Sequence, residues 1–160
     1  METLDSHPHR LAALRRFLLT LILLSLCATA TELLLVGHTE DAWQWVPLAL
    51  IALALPAAGW LAAAPRAGIV RAWQGLMALF LASGCLGLFL HAQAKMEFMR
   101  ESNPSADSLS LFWAGLKTQS PPTLAPGIMI QTGLLGLAYA FRHPALGRGR
   151  AKSKVTGENE

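Results

Sequence analysis

Residues 42–65, "AWQWVPLALIALALPAAGWLAAAP", run for 24 positions without a charged side chain, and their reading decides the fold. A bilayer's hydrocarbon core is about 30 Å thick and takes roughly 20 helical residues to cross. No water reaches the backbone there, so the segment must satisfy its own N–H and C=O groups as a helix. Pro56 lies inside the run, and proline is tolerated in membrane helices, usually with a kink. Trp43 and Trp45 at its start suit the headgroup layer.

Outward from this block the pattern repeats. Residues 118–141 and 72–90 are also uncharged, and Glu32 is the one carboxylate within residues 17–36. The chain of 160 residues is 14% charged with mean hydropathy +0.40, against about 25% charged in soluble domains. The expectation is a single all-α membrane domain over residues 1–160. It is an integral membrane four-helix bundle with spans at about 11–36, 46–64, 70–92 and 125–142. No room is left for a separate soluble domain.

The net charge of +3 and pI of about 9.2 would fit a nucleic-acid binder taken alone. The distribution points elsewhere. Ten of the 13 basic residues lie before the first span, between the second and third, or after the fourth, and the loop between the first and second has none. By the positive-inside rule both termini are cytoplasmic and the 37–45 and 92–124 loops face outward. The expected location is a bacterial inner (plasma) membrane, crossed several times. The basic tail, residues 143–160 with "GRGRAKSK" inside it, fixes topology and attracts anionic lipid. Its sharper reading is docking of a cytoplasmic partner. No nucleic acid is expected.

Arg15-Arg16 followed by apolar residues and by "ATA" at 28–30 has the look of a cleavable signal. The apolar run continues through "LLLVG", however, so an uncleaved anchor is expected. Cys27 and Cys85 fall mid-span and read as small packing residues rather than a disulfide framework.

Beyond the third span, "HAQAKMEFMRES" (91–102) has no breaker before Pro104 and should continue the helix out of the bilayer. Residues 107–117 then read as a short amphipathic helix at the outer face. Asp107 or Ser105 caps its start, and Leu109, Phe112, Trp113 and Leu116 form its apolar face.

"TELLLVGHTED" (31–41) puts Glu32 inside a leucine run and His38, Glu40 and Asp41 at its exit. Ser25, Ala28, Thr29 and Glu32 share one helical face, Ser83, Gly84, Gly87 and His91 another, and Thr132, Gly136 and Ala140 a third. Small residues mark helix contacts in membranes. Ionisable groups avoid lipid, so Glu32 is expected to face the bundle and to meet His91. The resulting candidate polar cluster is Glu32, His38, His91, Glu97 and Gln131.

Histidine and carboxylate ligands suit zinc, iron or copper, but no Glu-x-x-His, Cys-x-x-Cys or His-Glu-x-x-His spacing accompanies them. No catalytic triad, phosphate loop or paired acids can be found, so no catalytic residue and no cofactor is assigned. Whether the chain is an enzyme stays open. The expected function is a structural or accessory subunit of a membrane assembly, with the bilayer and other membrane subunits as partners. The alternative is a carrier or enzyme component with an outer-face proton, metal or small-ligand site around Glu32 and His91.

"ELLLVGHTEDAWQWVPL" and "LFWAGL…LAPG…QTGLLGLAYAFRHP" resemble segments of small, uncharacterised four-span bacterial integral membrane proteins. The resemblance covers most of the hydrophobic chain. It implies a fold and carries no activity, cofactor or catalytic residue.

Overall fold

The computed structural model describes residues 6–102, 104–117 and 124–147. Its regular elements are all helical: α1 (Ser6–Leu35), a 3-10 turn (Ala42–Gln44), α2 (Trp45–Ala63), α3 (Ala67–Ser102), α4 (Ser108–Lys117) and α5 (Leu124–Ala140). Three of them, α1, α2 and α3, are long and apolar enough to cross a membrane, while α5 is apolar and shorter. The residues preceding Leu124, including "PPT", lie outside the described residues, as does the basic run from Arg148.

Sequence explains where each helix stops. Gly37 follows α1 in the left-handed conformation, φ 67°, which glycine adopts without a Cβ penalty. The N–H of Gly37 donates to the Leu34 carbonyl (3.2 Å) and that of His38 to the Leu33 carbonyl (2.9 Å). This doubled closure satisfies carbonyls that a helix C-terminus otherwise leaves open. Pro65 ends α2, and the turn of three residues before α3 makes the two antiparallel neighbours. Pro126 sits in the first turn of α5, where its missing N–H costs no helical bond.

The helices pack as neighbours around a shared interior. α1 lies against α2 and α5; α3 lies against α2, α5 and α4. α1 is therefore diagonal to α3, and α2 to α5, and α1 meets the bundle mainly through its two flanking helices. The interior is Leu19, Ile22, Leu26 and Leu33 from α1, Ile51, Ala54, Ala58 and Leu61 from α2, and Val70, Trp73, Met77 and Phe80 from α3, closed by Met129, Tyr139 and Ala140 of α5. Large apolar side chains are also exposed, among them Leu24, Leu53, Leu79, Phe89 and Leu134. An outer surface this greasy marks contact with lipid or with another protein.

The closest approach is between α3 and α5. A Cβ on Gly133 would sit 2.8 Å from the Met77 carbonyl oxygen, and one on Gly84 would sit 2.7 Å from the Pro126 carbonyl oxygen. Gly136 accommodates the Met77 side chain. These glycines let two backbones touch, which in lipid replaces the hydrophobic drive with dispersion contacts. Gly84 and Gly87 face Pro126 at the start of α5, and Gly136 faces Met77, so the two small-residue faces lie along the same helix pair without opposing one another.

On α1 the expected face is displaced. Thr29 is buried, but Ala28 is exposed and Ser25 and Glu32 are half-buried. The side turned inward is Leu19, Ile22, Leu26, Thr29 and Leu33. Leucines fill this interface because α2 and α5, not α3, flank it, and no glycine on α1 lets a backbone come close. α4 is displaced likewise. It docks on α3 through the buried Leu111, leaving Leu109 and Trp113 exposed.

Candidate functional site

At one end of the bundle the closure of α1 determines the site. The turn at Gly37 swings His38 back over the helix end. Its ring stacks on His91 of α3, with centroids 6.4 Å apart and planes inclined by 28°. The loop beyond is held by its own polar groups. Gln44 Oε1 accepts from the N–H of Glu40 (2.8 Å), and Trp45 Nε1 donates to the Thr39 carbonyl (3.1 Å). One turn further along α3, Lys95 is buried. At 36 residues α3 is about 54 Å long at the usual rise, well beyond a core of about 30 Å. α4 folds back on this projecting part. Asp107 starts α4, its Oδ2 accepting from the Ser110 N–H (3.2 Å), and these bonds to Ser110 hold its carboxyl below the usual carboxylate range.

Of the five residues expected to cluster, the structure brings His38 and His91 together. Glu97 and Gln131 are exposed. Glu32 opens onto an outward groove lined by α1 and the residue that follows it: Leu24, Cys27, Ala28, Thr31, Glu32, Leu35 and Val36. The side chain that meets His91 is thus His38, in place of the expected Glu32. The reason is geometric. Position 32 lies about a quarter-turn around the helix from the inward stripe, and α1 and α3 are diagonal rather than adjacent. Among the described residues no group of three or more His, Cys, Asp or Glu side chains is placed to hold a metal ion.

The other end of the bundle carries a polar cluster at the start of the expected basic tail. Trp73 of α3 donates from Nε1 to the Gly136 carbonyl of α5 at 3.0 Å. Tyr139 lies edge-on to Trp73 and stacks on His143, with centroids 6.4 and 5.7 Å away. Arg142, in the turn just beyond α5, has φ 47°, and its carbonyl accepts from Arg15 of α1 at 3.3 Å. The Ala145 N–H donates to His143 Nδ1 at 3.2 Å. That bond requires an unprotonated Nδ1. Burial first, and the Arg15 guanidinium second, hold the His143 imidazole below its ordinary value. The expected basic tail therefore begins as packed chain: His143 and Ala145 are buried, and residues 144–147 form a helical turn. The sequence holds Tyr139 and His143 four residues apart, but the left-handed turn at Arg142, not a shared helical face, brings their rings together.

No family model, curated protein or solved structure matches this chain.

Proposed function

We propose that the chain is a small structural or accessory subunit of a bacterial inner-membrane assembly, a four-helix membrane bundle in which α5 is the fourth span. The observation that carries this reading is how the interior is used. Trp73, Met77 and Phe80 fill the space against Gly133, Gly136 and Tyr139, while the polar groups described sit largely at helix ends, where they close turns and hold helices together. Such an architecture displays surfaces. Kinship with small four-span bacterial membrane proteins belongs to the same reading, as does attraction of anionic lipid to the basic tail. Extraction into native lipid discs followed by native mass spectrometry tests it. The expected result is a defined complex heavier than one chain; a lone 17.2 kDa species in every lipid and extraction condition rejects it.

The stacked His38 and His91 favour a second reading, a carrier or enzyme component with a proton, metal or small-ligand site at that end. Two imidazoles suit zinc or copper, with remaining positions filled from outside the pair. Metal analysis after mild extraction separates the readings. Stoichiometric metal that disappears in His38→Ala and His91→Ala supports the second.

A further inference from the structure

The Arg15 end of the bundle gathers positive charge without an acid to match it. Arg10, Arg15, Arg16, Arg66, Arg71 and Arg142 lie there, and no described aspartate or glutamate does. Arg15 stands apart from the others, which are exposed; it is half-buried where α1 meets α5. Its guanidinium commits one N–H to the Arg142 carbonyl at 3.3 Å and has further donors. Among the described residues no carboxylate pairs with it, and a charge withdrawn from water needs a partner. Arg15 lies 20 residues before Leu35, the end of α1 (35 − 15). That is about 30 Å at the usual rise, one thickness of the hydrocarbon core, so Arg15 sits at the level of a headgroup layer. Beside it the Arg142 guanidinium lies over the ring of Phe141, 5.5 Å from the centroid, and Phe141 is 67% exposed. A cation against an exposed apolar ring matches the join between a lipid headgroup and its acyl chains. His143 accepts the Ala145 N–H at Nδ1, which leaves Nε2–H as one more donor.

We propose that this corner between α1 and α5 seats the phosphate of one anionic phospholipid. The inference rests on the four-span membrane reading above and goes beyond diffuse attraction to the tail, because it names a site. Arginine's planar fork bonds phosphate oxygens in pairs, and basic pockets between helices at the cytoplasmic face suit such headgroups. A zwitterionic headgroup fits worse. Its cationic group calls for a carboxylate, and no described one lies at this end. The corner therefore selects a headgroup with net negative charge. The competing occupants are free phosphate and the chain's own terminal carboxylates, Glu2, Asp5, Glu158 and Glu160.

The test uses the full chain in discs of phosphatidylcholine with a minor fraction of phosphatidylglycerol. Native mass spectrometry then counts the lipid retained on the released protein. The expected result is one phosphatidylglycerol held per chain in preference to phosphatidylcholine. Arg15→Gln and Arg142→Gln should each weaken that preference about fivefold, the scale of one basic residue at an anionic surface. Arg142→Gln keeps the carbonyl that Arg15 bonds, so it removes charge without removing the contact between α1 and α5. Arg15→Lys should recover only part of the preference, since it restores the charge without the fork. Arg10→Gln and Arg71→Gln remove the same charge from exposed positions at the same end and should leave the preference intact. Equal losses at all four positions would mean diffuse attraction and overturn the proposal. So would inorganic phosphate that raises the melt in pure phosphatidylcholine discs as far as phosphatidylglycerol does, because the site would then take a soluble anion. So would a preference that appears only when the four terminal carboxylates are changed to amides. A lone 17.2 kDa chain that retains the lipid rejects the subunit reading and keeps this one; a heavier complex without the preference does the reverse. Cysteines at 40 and 147 reached from the same side of the membrane would reject the four-span reading, and this site with it.

Discussion

Thr29 and His143 show how single side chains carry stability in this chain. The Thr29 side-chain oxygen is buried without a hydrogen-bond partner among the described residues, on a residue only 2% exposed. A buried polar group left unsatisfied costs about 1–3 kcal/mol. Valine has nearly the same shape and no hydroxyl, so Thr29→Val should leave stability unchanged or raise it by about 1 kcal/mol. Detergent unfolding measures this, and a loss larger than that gain would mean the hydroxyl has a partner after all. His143 works through its protonation state. Its folded value lies below the ordinary 6.5, so the folded protein prefers the neutral ring. The corresponding stability is full above the unfolded value and is lost as pH falls through the folded one. The melting temperature should therefore drop as pH is lowered through and below the ordinary 6.5, and His143→Gln should remove part of that drop. Equal slopes for the two proteins would show that His143 does not contribute.

Elements are held by backbone proximity more than by side-chain bulk. Gly84 and Gly75 stand nine residues apart on α3 in opposite situations. A Cβ at 84 would meet the Pro126 carbonyl, whereas one at 75 meets nothing within 4 Å. Gly84→Ala should force α3 and α5 apart and cost about 1–3 kcal/mol, the range for overpacking. Gly75→Ala should be neutral or stabilising by up to about 1 kcal/mol, through helix propensity. Equal effects in a chemical or thermal melt would refute the close approach. This contrast also shows what is legible in sequence. Uncharged runs and punctuating Gly37 and Pro65 mark where helices lie, and the glycines of α3 and α5 mark where two of them touch. The azimuth of α1 is not legible. Leucine covers most of its circumference, so periodicity is weak and the rule that carboxylates face inward misplaces Glu32. The same weakness hides which face of α4 docks, since Leu111 and Leu109 are equally apolar. The His38–His91 stack depends on a left-handed turn whose effect on ring direction no spacing rule supplies.

At the scale of the molecule, the alternation of helices sorts charge between two ends. His38 and His91 meet at one; Arg15 meets the Arg142 carbonyl at the other. Arg66, in the turn between α2 and α3, belongs with Arg15 by the same up-and-down order. Basic residues near span ends are retained on the cytoplasmic side, so the Arg15 end is proposed to face the cytoplasm and the His38 end the outside. Exposed positions at each end make this measurable: Glu40 and Ser105 report on one, Arg66 and Gly147 on the other. In a cysteine-free background, single cysteines at 40 and 105 should react with a membrane-impermeant maleimide added to intact spheroplasts. Cysteines at 66 and 147 should react only after permeabilisation. Because helix order ties the positions together, the result must come as a set. Labelling of 66 and 147 with protection of 40 and 105 would invert the orientation while keeping the bundle. Labelling of 40 together with 147, and protection of 66, would mean that α5 does not cross, leaving three spans.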